Sequence, residues 1–313
     1  MAQTQALAIG TSRDGARRRG GSIRTRRAVT AYAFLAPAMS ILFVFVIWPI
    51  IDVFWQSLHN TTFLPPASAY SGLTNFRGLF DDPQFWTDLR TTAIYTVVTV
   101  PLTMAAALAA ALGLRRNNLA SRMLRTVYFL PALSSLAVMG LIWGYLLTPN
   151  IGVLDYWLHG LGISQPDWLG TTTWALPSVI AVGVWVSLGY DMVIFVAGRQ
   201  GIPEEYYEAA RIDGATGWQQ FRHVTLPLLA PTTMFVLVTS VIGAFQAFDQ
   251  IYVMTTGGPL YSTETLVIYM YRYAFENFEI GYGCAVAVVL FVIVLAFTAV
   301  EVRMFRRSQT RVY

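Results

Sequence analysis

The chain has 313 residues, of which 55% are hydrophobic and only 12% are charged, and its mean hydropathy is +0.52. A soluble globular domain carries charge on about a quarter of its residues, so this composition excludes an ordinary soluble domain and indicates a membrane protein. The net charge of +4 does not indicate nucleic-acid binding, because the basic residues are dispersed between apolar runs.

The absence of lysine excludes several kinds of chemistry. All 21 basic residues are arginine, so the chain lacks the lysine of a P-loop ATPase and the lysine of Schiff-base or Ser–Lys catalysis. The histidines have no metal-ligand spacing, and the motifs G-x-S-x-G and H-E-x-x-H are absent. The single Cys284 lies in an apolar run, where we expect a small packed residue. We therefore expect a channel or transporter component and not an enzyme.

Six apolar segments are each long enough to cross a bilayer, which takes about 20 helical residues. They cover residues 31–51, 92–113, 126–147, 174–197, 226–248 and 284–303. No small-residue cleavage site follows the first, so we interpret it as a retained anchor and not as a signal peptide. The sequence thus predicts an all-α membrane protein with six transmembrane helices in one domain, residues 31–306. The flanking tails are residues 1–30, arginine-rich and expected to be disordered, and residues 307–313.

The distribution of arginine predicts the orientation of the chain. With both termini in the cytoplasm, the inner side holds seven arginines of the N-terminal tail, four at 115–125, three around 201–227 and four near the C-terminus. Only Arg77, Arg90 and Arg272 then lie outside. Because arginine-rich loops remain on the inner side, we expect cytoplasmic termini in a multi-pass protein. The all-arginine, alanine-rich composition hints at a GC-rich genome, so we expect a bacterial inner or plasma membrane.

The predicted outer loops are too rich in aromatic and turn-forming residues to be free linkers. The last of them contains the turn-rich passage TTGGP at 255–259 and then a tyrosine-rich amphipathic segment, 264–278. Tyrosine is typical of helices that lie at the membrane interface, so the sequence predicts an interfacial helix there.

The longest polar passage between two predicted spans is Gly201–Pro227, and it reads as two short helices. Pro203 suits the first position of a helix, where its missing N–H costs nothing. Glu204 and Glu205 follow in the first turn, where the helix dipole favours acids. Gly214 can end this helix in the left-handed conformation.

The second short helix has its own start signal. Thr216 and Gln219 have the spacing of a capping box for a turn at Gly217–Phe221. Pro227 can then open the next long helix. The passage therefore predicts a helix, a sharp turn and a second helix on the cytoplasmic side.

Polar residues in or beside spans four and five are candidates for a substrate pathway. Charged groups inside a membrane are costly and usually face the interior of the bundle, and acids or amides beside aromatic rings suit a sugar. The candidates are Trp185, Tyr190, Asp191, Phe245, Gln246, Asp249 and Tyr252. The alternative is that these groups hydrogen-bond neighbouring helices or, for Asp191, pair with a structural arginine.

The passage at 208–227 carries a family resemblance. Glu208-Ala209-Ala210, Gly214 and Val224-Thr225-Leu226-Pro227 stand at the spacings of the pattern E-A-A-x3-G-x9-I-x-L-P. This passage resembles the EAA loop of ABC importer permeases, with Val224 in place of isoleucine as the only departure.

The resemblance extends over nearly all of the chain after residue 30 and points to the carbohydrate-uptake branch, which includes maltose and glycerol-phosphate permeases. The passages that resemble this branch are Asp213-Gly214-Ala215, Phe221, Leu226-Pro227-Leu228, Gly72–Phe76, Phe129–Pro131 and Phe248–Pro259. Disaccharides, oligosaccharides, glycerol phosphate and glycerophosphodiesters all belong to the branch as substrates, so the resemblance leaves the substrate open.

The resemblance implies a division of labour between subunits. It implies a second permease of similar fold, a pair of cytoplasmic ATPase subunits that bind ATP and magnesium, and an extracytoplasmic binding protein. This chain would bind no cofactor, and its loop would couple to the ATPase. The residues that the resemblance and the loop pattern assign to coupling are Gly201, Pro203, Tyr207, Glu208, Ala209, Ala210, Asp213, Gly214, Ala215, Phe221, Leu226 and Pro227.

Two other classes of function compete with this interpretation. A proton-coupled secondary transporter could use an intramembrane acid such as Asp191 as a proton relay, but it has no need of a docking helix pair. A membrane scaffold or sensor would show no substrate-stimulated ATPase activity in its complex.

Overall fold

The computed structural model describes residues 30–63, 66–114, 118–149, 151–162 and 166–309. The predictions for the N-terminal tail and for the last four residues lie outside these ranges. The chain divides after Trp55 into two compact units.

The first unit contains almost all of helix α1, Thr30–Ser57, which covers the predicted first span. Its apolar side chains, among them Phe34 and Phe45, are exposed. A π-helical turn at Phe43–Ile47 interrupts its regular geometry. Exposed apolar side chains along 28 residues suit a helix that meets lipid.

The second unit begins with a β-hairpin, so the expectation of a purely α-helical chain is wrong at this point. Strands β1, His59–Phe63, and β2, Pro66–Tyr70, pair antiparallel with His59 opposite Tyr70. Threonines at 61 and 62 favour a strand because their branched side chains fit a pleated surface. The amide of Phe63 also donates to the carbonyl of Phe278 (3.2 Å), which joins the hairpin to a distant turn.

Helices form nearly all of the remaining regular structure in the described ranges. They are α2 Thr74–Asp81, α3 Pro83–Gly113, α4 Leu119–Leu133, α5 Leu136–Leu146, α6 Val153–Gly160, α7 Thr172–Gln200, α8 Glu204–Ile212, α9 Gly217–Leu228, α10 Ala230–Phe245, α11 Asp249–Thr255, α12 Leu266–Tyr271 and α13 Ile280–Gln309. Two π-helical turns accompany them, Phe221–Thr225 within α9 and Arg272–Glu276 directly after α12.

Four of these helices, α1, α3, α7 and α13, are long and apolar enough to cross a membrane by themselves. Two further pairs qualify only when taken together: α4 with α5, bent by 99°, and α9 with α10, bent by 66°. The structure therefore has four candidate spans, or up to six if each bent pair is one span.

The bends change two predicted spans, because 126–147 and 226–248 are not continuous helices. Ser134 and Ser135 are extended (ψ 154° and 134°) and separate α4 from α5. Leu229 separates α9 from α10, and Pro231 in the first turn of α10 has no N–H to continue the helix from α9.

The core of the second unit lies where α3 and α7 pack along each other. One buried cluster contains Tyr95 and Val100 of α3 and Val182 and Val186 of α7. A smaller cluster joins Ala107, Met192 and Val236. Small residues on these helices let the backbones approach closely, as is usual between membrane helices.

Gly189 marks a close helix crossing. A Cβ atom on this residue of α7 would overlap the backbone carbonyl oxygen of Tyr128 on α4. Backbone cannot move aside as a flexible side chain can, so only glycine permits this crossing.

The variant Gly189→Ala is expected to be destabilised by about 1–3 kcal/mol or more, because the methyl group would push α7 and α4 apart. A lower Tm of the purified protein in detergent would show this. Gly144→Ala is the matched control, since nothing lies within 4 Å of a Cβ there. Alanine there is expected to leave Tm unchanged or raise it, and equal losses in both variants would contradict the interpretation.

Only the first part of the segment predicted to be an interfacial helix packs inside the second unit, and residues 275–278 are exposed. Leu266, Ile268 and Tyr269 of α12 are buried. The hydroxyl of Tyr269 donates to a carboxylate oxygen of Asp82 (2.6 Å), which satisfies the polar end of a buried tyrosine. Burial raises the pKa of Tyr269, so the hydroxyl keeps its proton as a donor.

A buried ion pair holds the turn before α12 to the π-helical turn that follows it. The Nη1 atom of Arg272 lies 2.8 Å from both carboxylate oxygens of Glu264, whose side chain has no exposed surface. The guanidinium also lies 4.5 Å above the ring of Tyr261. Burial raises the pKa of Glu264 to about 7, although the positive charge and the hydrogen bond of Arg272 lower it.

Arg272→Met is expected to cost about 3–5 kcal/mol, because it leaves a buried carboxylate without its partner. Adding Glu264→Gln to that variant should recover part of the loss, because it removes the unpaired charge. Thermal unfolding in detergent measures both. The exposed pair Arg211–Glu204 (3.2 Å) is the control, and Arg211→Met should cost at most about 1 kcal/mol. A loss in Arg272→Met no larger than in this control would contradict the role of the buried pair.

Candidate functional site: a capped helical loop and a polar cavity

Helix α8 of the polar loop begins one residue later than predicted. Pro203 is its N-cap residue and not its first helical residue, with φ −56° and ψ 135°. Its backbone is extended, as is usual for an N-cap residue, and the helical conformation begins at Glu204. Glu204 and Glu205 occupy the first turn, as predicted.

Gly214 ends α8 in the left-handed conformation, which confirms the prediction for this residue. Its φ is +76°, where a residue with a Cβ atom would be strained. The amide of Ala215 donates to the carbonyl of Ala210 (2.9 Å), and the amide of Gly214 donates to that of Arg211 (3.1 Å). These two bonds form a Schellman motif.

The predicted capping box at the start of α9 is also present. The amide of Thr216 donates to Oε1 of Gln219 (2.7 Å), and the amide of Gln219 donates to the hydroxyl oxygen of Thr216 (3.4 Å). The prediction for Pro227 is wrong, because Pro227 lies inside α9 and the next helix begins at Ala230. The π-helical turn at Phe221–Thr225 ends two residues before Pro227, and α9 continues from this turn to Leu228.

Tyr207 attaches α8 to its neighbours. The residue is 5% exposed, and its hydroxyl lies 3.1 Å from the hydroxyl of Thr225 in α9. The guanidinium of Arg199, at the end of α7, lies 5.1 Å from the centre of its ring. One aromatic side chain thus joins three helices. Gly201, the first residue of the loop, is the C-cap residue of α7.

The opposite face of the loop is exposed. Glu208 and Ala209 are exposed, Ile212 is 87% exposed and Trp218 is 67% exposed. Two other residues assigned to coupling, Phe221 and Leu226, differ in burial. Phe221 is half-buried against Trp218, at 5.3 Å between ring centres, and Leu226 is 42% exposed.

A cavity of about 370 Å³ lies between α3, the α4–α5 break, α7, α10 and the start of α11. Such a volume is in the range of small-molecule binding sites. Its polar lining comes from Tyr95, Thr99, Thr103, Ser134, Ser187, Tyr190, Asp191, Thr239, Ser240, Gln246, Asp249 and Gln250. The helix interruption at Gln246–Phe248 forms part of its wall.

Hydrogen bonds between helices hold this wall in place. The side-chain amide of Gln250 donates to the hydroxyl of Tyr95 (2.8 Å), both of them buried. Gly183 leaves room for the pair, since a Cβ atom there would lie 2.5 Å from the tyrosine oxygen. The hydroxyl of Thr103 is buried without a hydrogen-bond partner in the described part of the chain.

Asp191 reaches the cavity from α7 and is 3% exposed. Its Oδ2 atom accepts a hydrogen bond from the hydroxyl of Ser240 on α10 (3.1 Å). Asp191 belongs to neither of the ion pairs found in the described ranges, which involve Arg211 and Arg272. Of the alternatives drawn from the sequence, an interhelical hydrogen bond is therefore present, and it lies at the cavity wall.

The structure brings only some of the predicted pathway residues together. Tyr190, Asp191, Gln246 and Asp249 line the cavity. The other three do not line the cavity and pack on aromatic rings: Trp185 on Trp143 (5.3 Å), Phe245 on Phe297 (5.3 Å) and Tyr252 on Phe248 (5.0 Å), of which Phe248 belongs to the lining.

Sequence reasoning missed the contribution of α3, which is Tyr95, Thr99 and Thr103. A signal was available, because these residues are spaced four apart and so share one face of the helix. It also missed Ser240, whose hydroxyl becomes informative only when Asp191 is seen to contact it.

Comparison with known proteins now identifies the family. Residues 98–307 match the model of the binding-protein-dependent transport system inner membrane component. The chain is 35% identical to the sn-glycerol-3-phosphate transport system permease protein of Agrobacterium fabrum, over 91% of this chain and 96% of that one. It is also 35% identical to the lactose transport system permease protein of Rhizobium radiobacter, over 88% and 94%.

The fold is that of a chain in the crystal structure of a bacterial alginate ABC transporter in complex with an alginate pentasaccharide-bound periplasmic protein. The TM-score is 0.80 at 24% identity, over 90% of this chain and 96% of that one. The predicted resemblance to ABC importer permeases and the predicted membrane location are thereby confirmed. This chain belongs to the family of binding-protein-dependent transport system inner membrane components.

Proposed function

We propose that this chain is a permease subunit of an ABC importer that passes a sugar or sugar-like solute across the cytoplasmic membrane. Family membership supports the transport role, and relatives named for lactose and glycerol 3-phosphate support the solute class. In this proposal the chain crosses the membrane six times, with each bent helix pair counted as one span and both termini in the cytoplasm. The count of arginines on the inner side supports this orientation.

The observation that carries the proposal is the geometry of the loop at 201–227. Its two helices are capped at both sides of the Gly214 turn, and Tyr207 attaches them to the end of α7. The exposed face contains an acid, a small residue and two large apolar residues: Glu208, Ala209, Ile212 and Trp218. A rigid unit with an apolar exposed face suits a docking element for another subunit.

The energy for transport comes from separate ATPase subunits in this proposal. The chain has no lysine and therefore no P-loop lysine, so ATP and magnesium bind to the partner subunits. The chain itself is a non-catalytic subunit without a cofactor. Closure of the ATPases moves the loop, and α7 transmits this motion to the cavity wall.

The remaining partners follow from the family. We infer a second permease of similar fold, because the family resemblance implies a pair of permeases. An extracytoplasmic binding protein delivers the solute. The alginate transporter of the same fold is in complex with a periplasmic protein, which supports this partner.

Glu208→Lys and Gly214→Asp are each expected to abolish ATP-dependent uptake and solute-stimulated ATPase activity while membrane insertion is kept. The first reverses a charge on the exposed docking face. The second places a side chain at φ +76° and disrupts the turn between the helices. Uptake by proteoliposomes containing the whole importer measures the effect.

Asp81→Lys is the control for these variants, because Asp81 is exposed at the end of α2, outside the loop. It is expected to transport normally. Normal transport by either loop variant would contradict the docking role. A complex that lacks an ATP-hydrolysing subunit but takes up solute with protons would favour the proton-coupled alternative.

Gln246→Ala and Asp249→Ala are expected to change the solute dependence of uptake more than the amount of assembled complex. Both residues are exposed at the helix interruption that lines the cavity. The apparent KM of uptake measures the first effect, because KM does not depend on the amount of transporter, and the yield of purified complex measures the second. Asp81→Ala is the matched control, and an unchanged KM in both cavity variants would remove this cluster from the pathway.

A further inference from the structure

We propose that the cavity selects uncharged sugars over solutes that carry a phosphate or a carboxylate, and that Asp191 is the residue that imposes this selection. The inference rests on the proposed transport function and goes further by naming the charge of the substrate. The family relatives do not decide this point. The chain is equally similar, at 35% identity, to permeases named for a neutral disaccharide and for a phosphate ester.

The charged groups that line the cavity are all acidic. Asp191 and Asp249 both belong to its lining, and the lining residues in the described ranges include no arginine and no histidine. A site that binds phosphate or carboxylate usually presents arginine, because the guanidinium matches both oxyanions with paired hydrogen bonds. This cavity presents the opposite charge.

Three arginines of the neighbouring elements are engaged at other sites, and Arg90 of α3 and Arg122 of α4 are exposed and do not line the cavity. Arg125 of α4 donates to the carbonyl of Leu114, and Arg199 of α7 lies over the ring of Tyr207. Arg272, after α12, pairs with Glu264. None of these three groups lines the cavity, so none compensates the charge that an anionic solute would bring.

The remaining polar groups suit an uncharged polyol. The lining offers hydroxyl groups that can both donate and accept, among them those of Thr103, Ser187 and Tyr190, and the side-chain amide of Gln246. Apolar atoms from Val186, Phe248 and other residues lie between them. Hydroxyl groups beside apolar surface match the alternating polar and apolar faces of a sugar ring.

Asp191 is placed to make this selection. It is almost fully buried, and Ser240 holds the carboxylate at the wall between α7 and α10. Away from water a charge acts over a longer distance than at the protein surface. A carboxylate there repels a second anion and accepts hydrogen bonds from sugar hydroxyl groups.

The test uses the purified complex of this chain with its partner permease and ATPase subunits, without the binding protein, so that the cavity and not the binding protein selects. Equilibrium dialysis compares neutral disaccharides (lactose, maltose, trehalose and cellobiose) with sn-glycerol 3-phosphate and an alginate disaccharide. The best neutral sugar is expected to bind at least about tenfold more tightly than either anion, a ratio that one unfavourable charge contact accounts for.

Asp191→Asn is the decisive variant. Its side-chain carbonyl can still accept the hydrogen bond from Ser240, so the wall keeps its shape while the charge is lost. We expect the preference for neutral sugars to fall several-fold, mainly because the anions bind more tightly. Asp81→Asn, the same chemical change at an exposed residue outside the cavity, should leave the preference unchanged.

Two results would overturn the inference. Anions that bind the wild-type complex as tightly as the best neutral sugar would do so, and the proposed transport function would stand. An unchanged preference in Asp191→Asn would remove Asp191 as its cause. The proposed function fails by a different result, namely the absence of ATP-dependent uptake of every neutral and anionic probe by the complete importer with its binding protein.

Discussion

An apolar membrane contains no water to hydrogen-bond a broken helix, so irregular backbone occurs there only where protein or a cavity surrounds it. The two interruptions at Ser134–Ser135 and Gln246–Phe248 obey this constraint, because both contribute to the wall of one cavity. The freed carbonyl of Ala247 accepts a hydrogen bond from the hydroxyl of Thr265 (3.1 Å), outside the helix ladder. These two breaks and the cavity are therefore one feature of the structure.

Helix α7 connects the two parts of the candidate site. Asp191 and Tyr190 lie at the cavity, and Arg199, about two turns further along the same helix, lies over Tyr207 of the loop. The crossing at Gly189 packs α7 directly against the backbone of α4, so that α7 has little freedom to move separately from its neighbour. A force applied to the loop would therefore reach the cavity wall through packed helices, which suits the proposed coupling of ATP hydrolysis to access.

In the proposed function, the loop and the cavity recognise different molecules, the loop a protein and the cavity a solute. The loop presents an exposed face with Glu208, Ile212 and Trp218, which a protein partner can cover. The cavity presents two acids and several hydroxyl groups to a solute. In the proposed function, one chain thus meets a protein partner through the loop and a class of substrate through the cavity.

The sequence by itself determined the central turn and the capping box of the loop, because caps and turns depend on residues close together in the chain. The Gly214 turn and the Thr216–Gln219 box lie where the pattern predicts them. Apolar length alone likewise indicated the membrane helices, but it did not show the bends at Ser134 and Leu229. Only the tertiary structure decided which polar residues share a cavity. Tyr95 and Gln250 are 155 residues apart and Asp191 and Ser240 are 49 apart, and contacts over such distances are set by how the helices pack and not by local pattern.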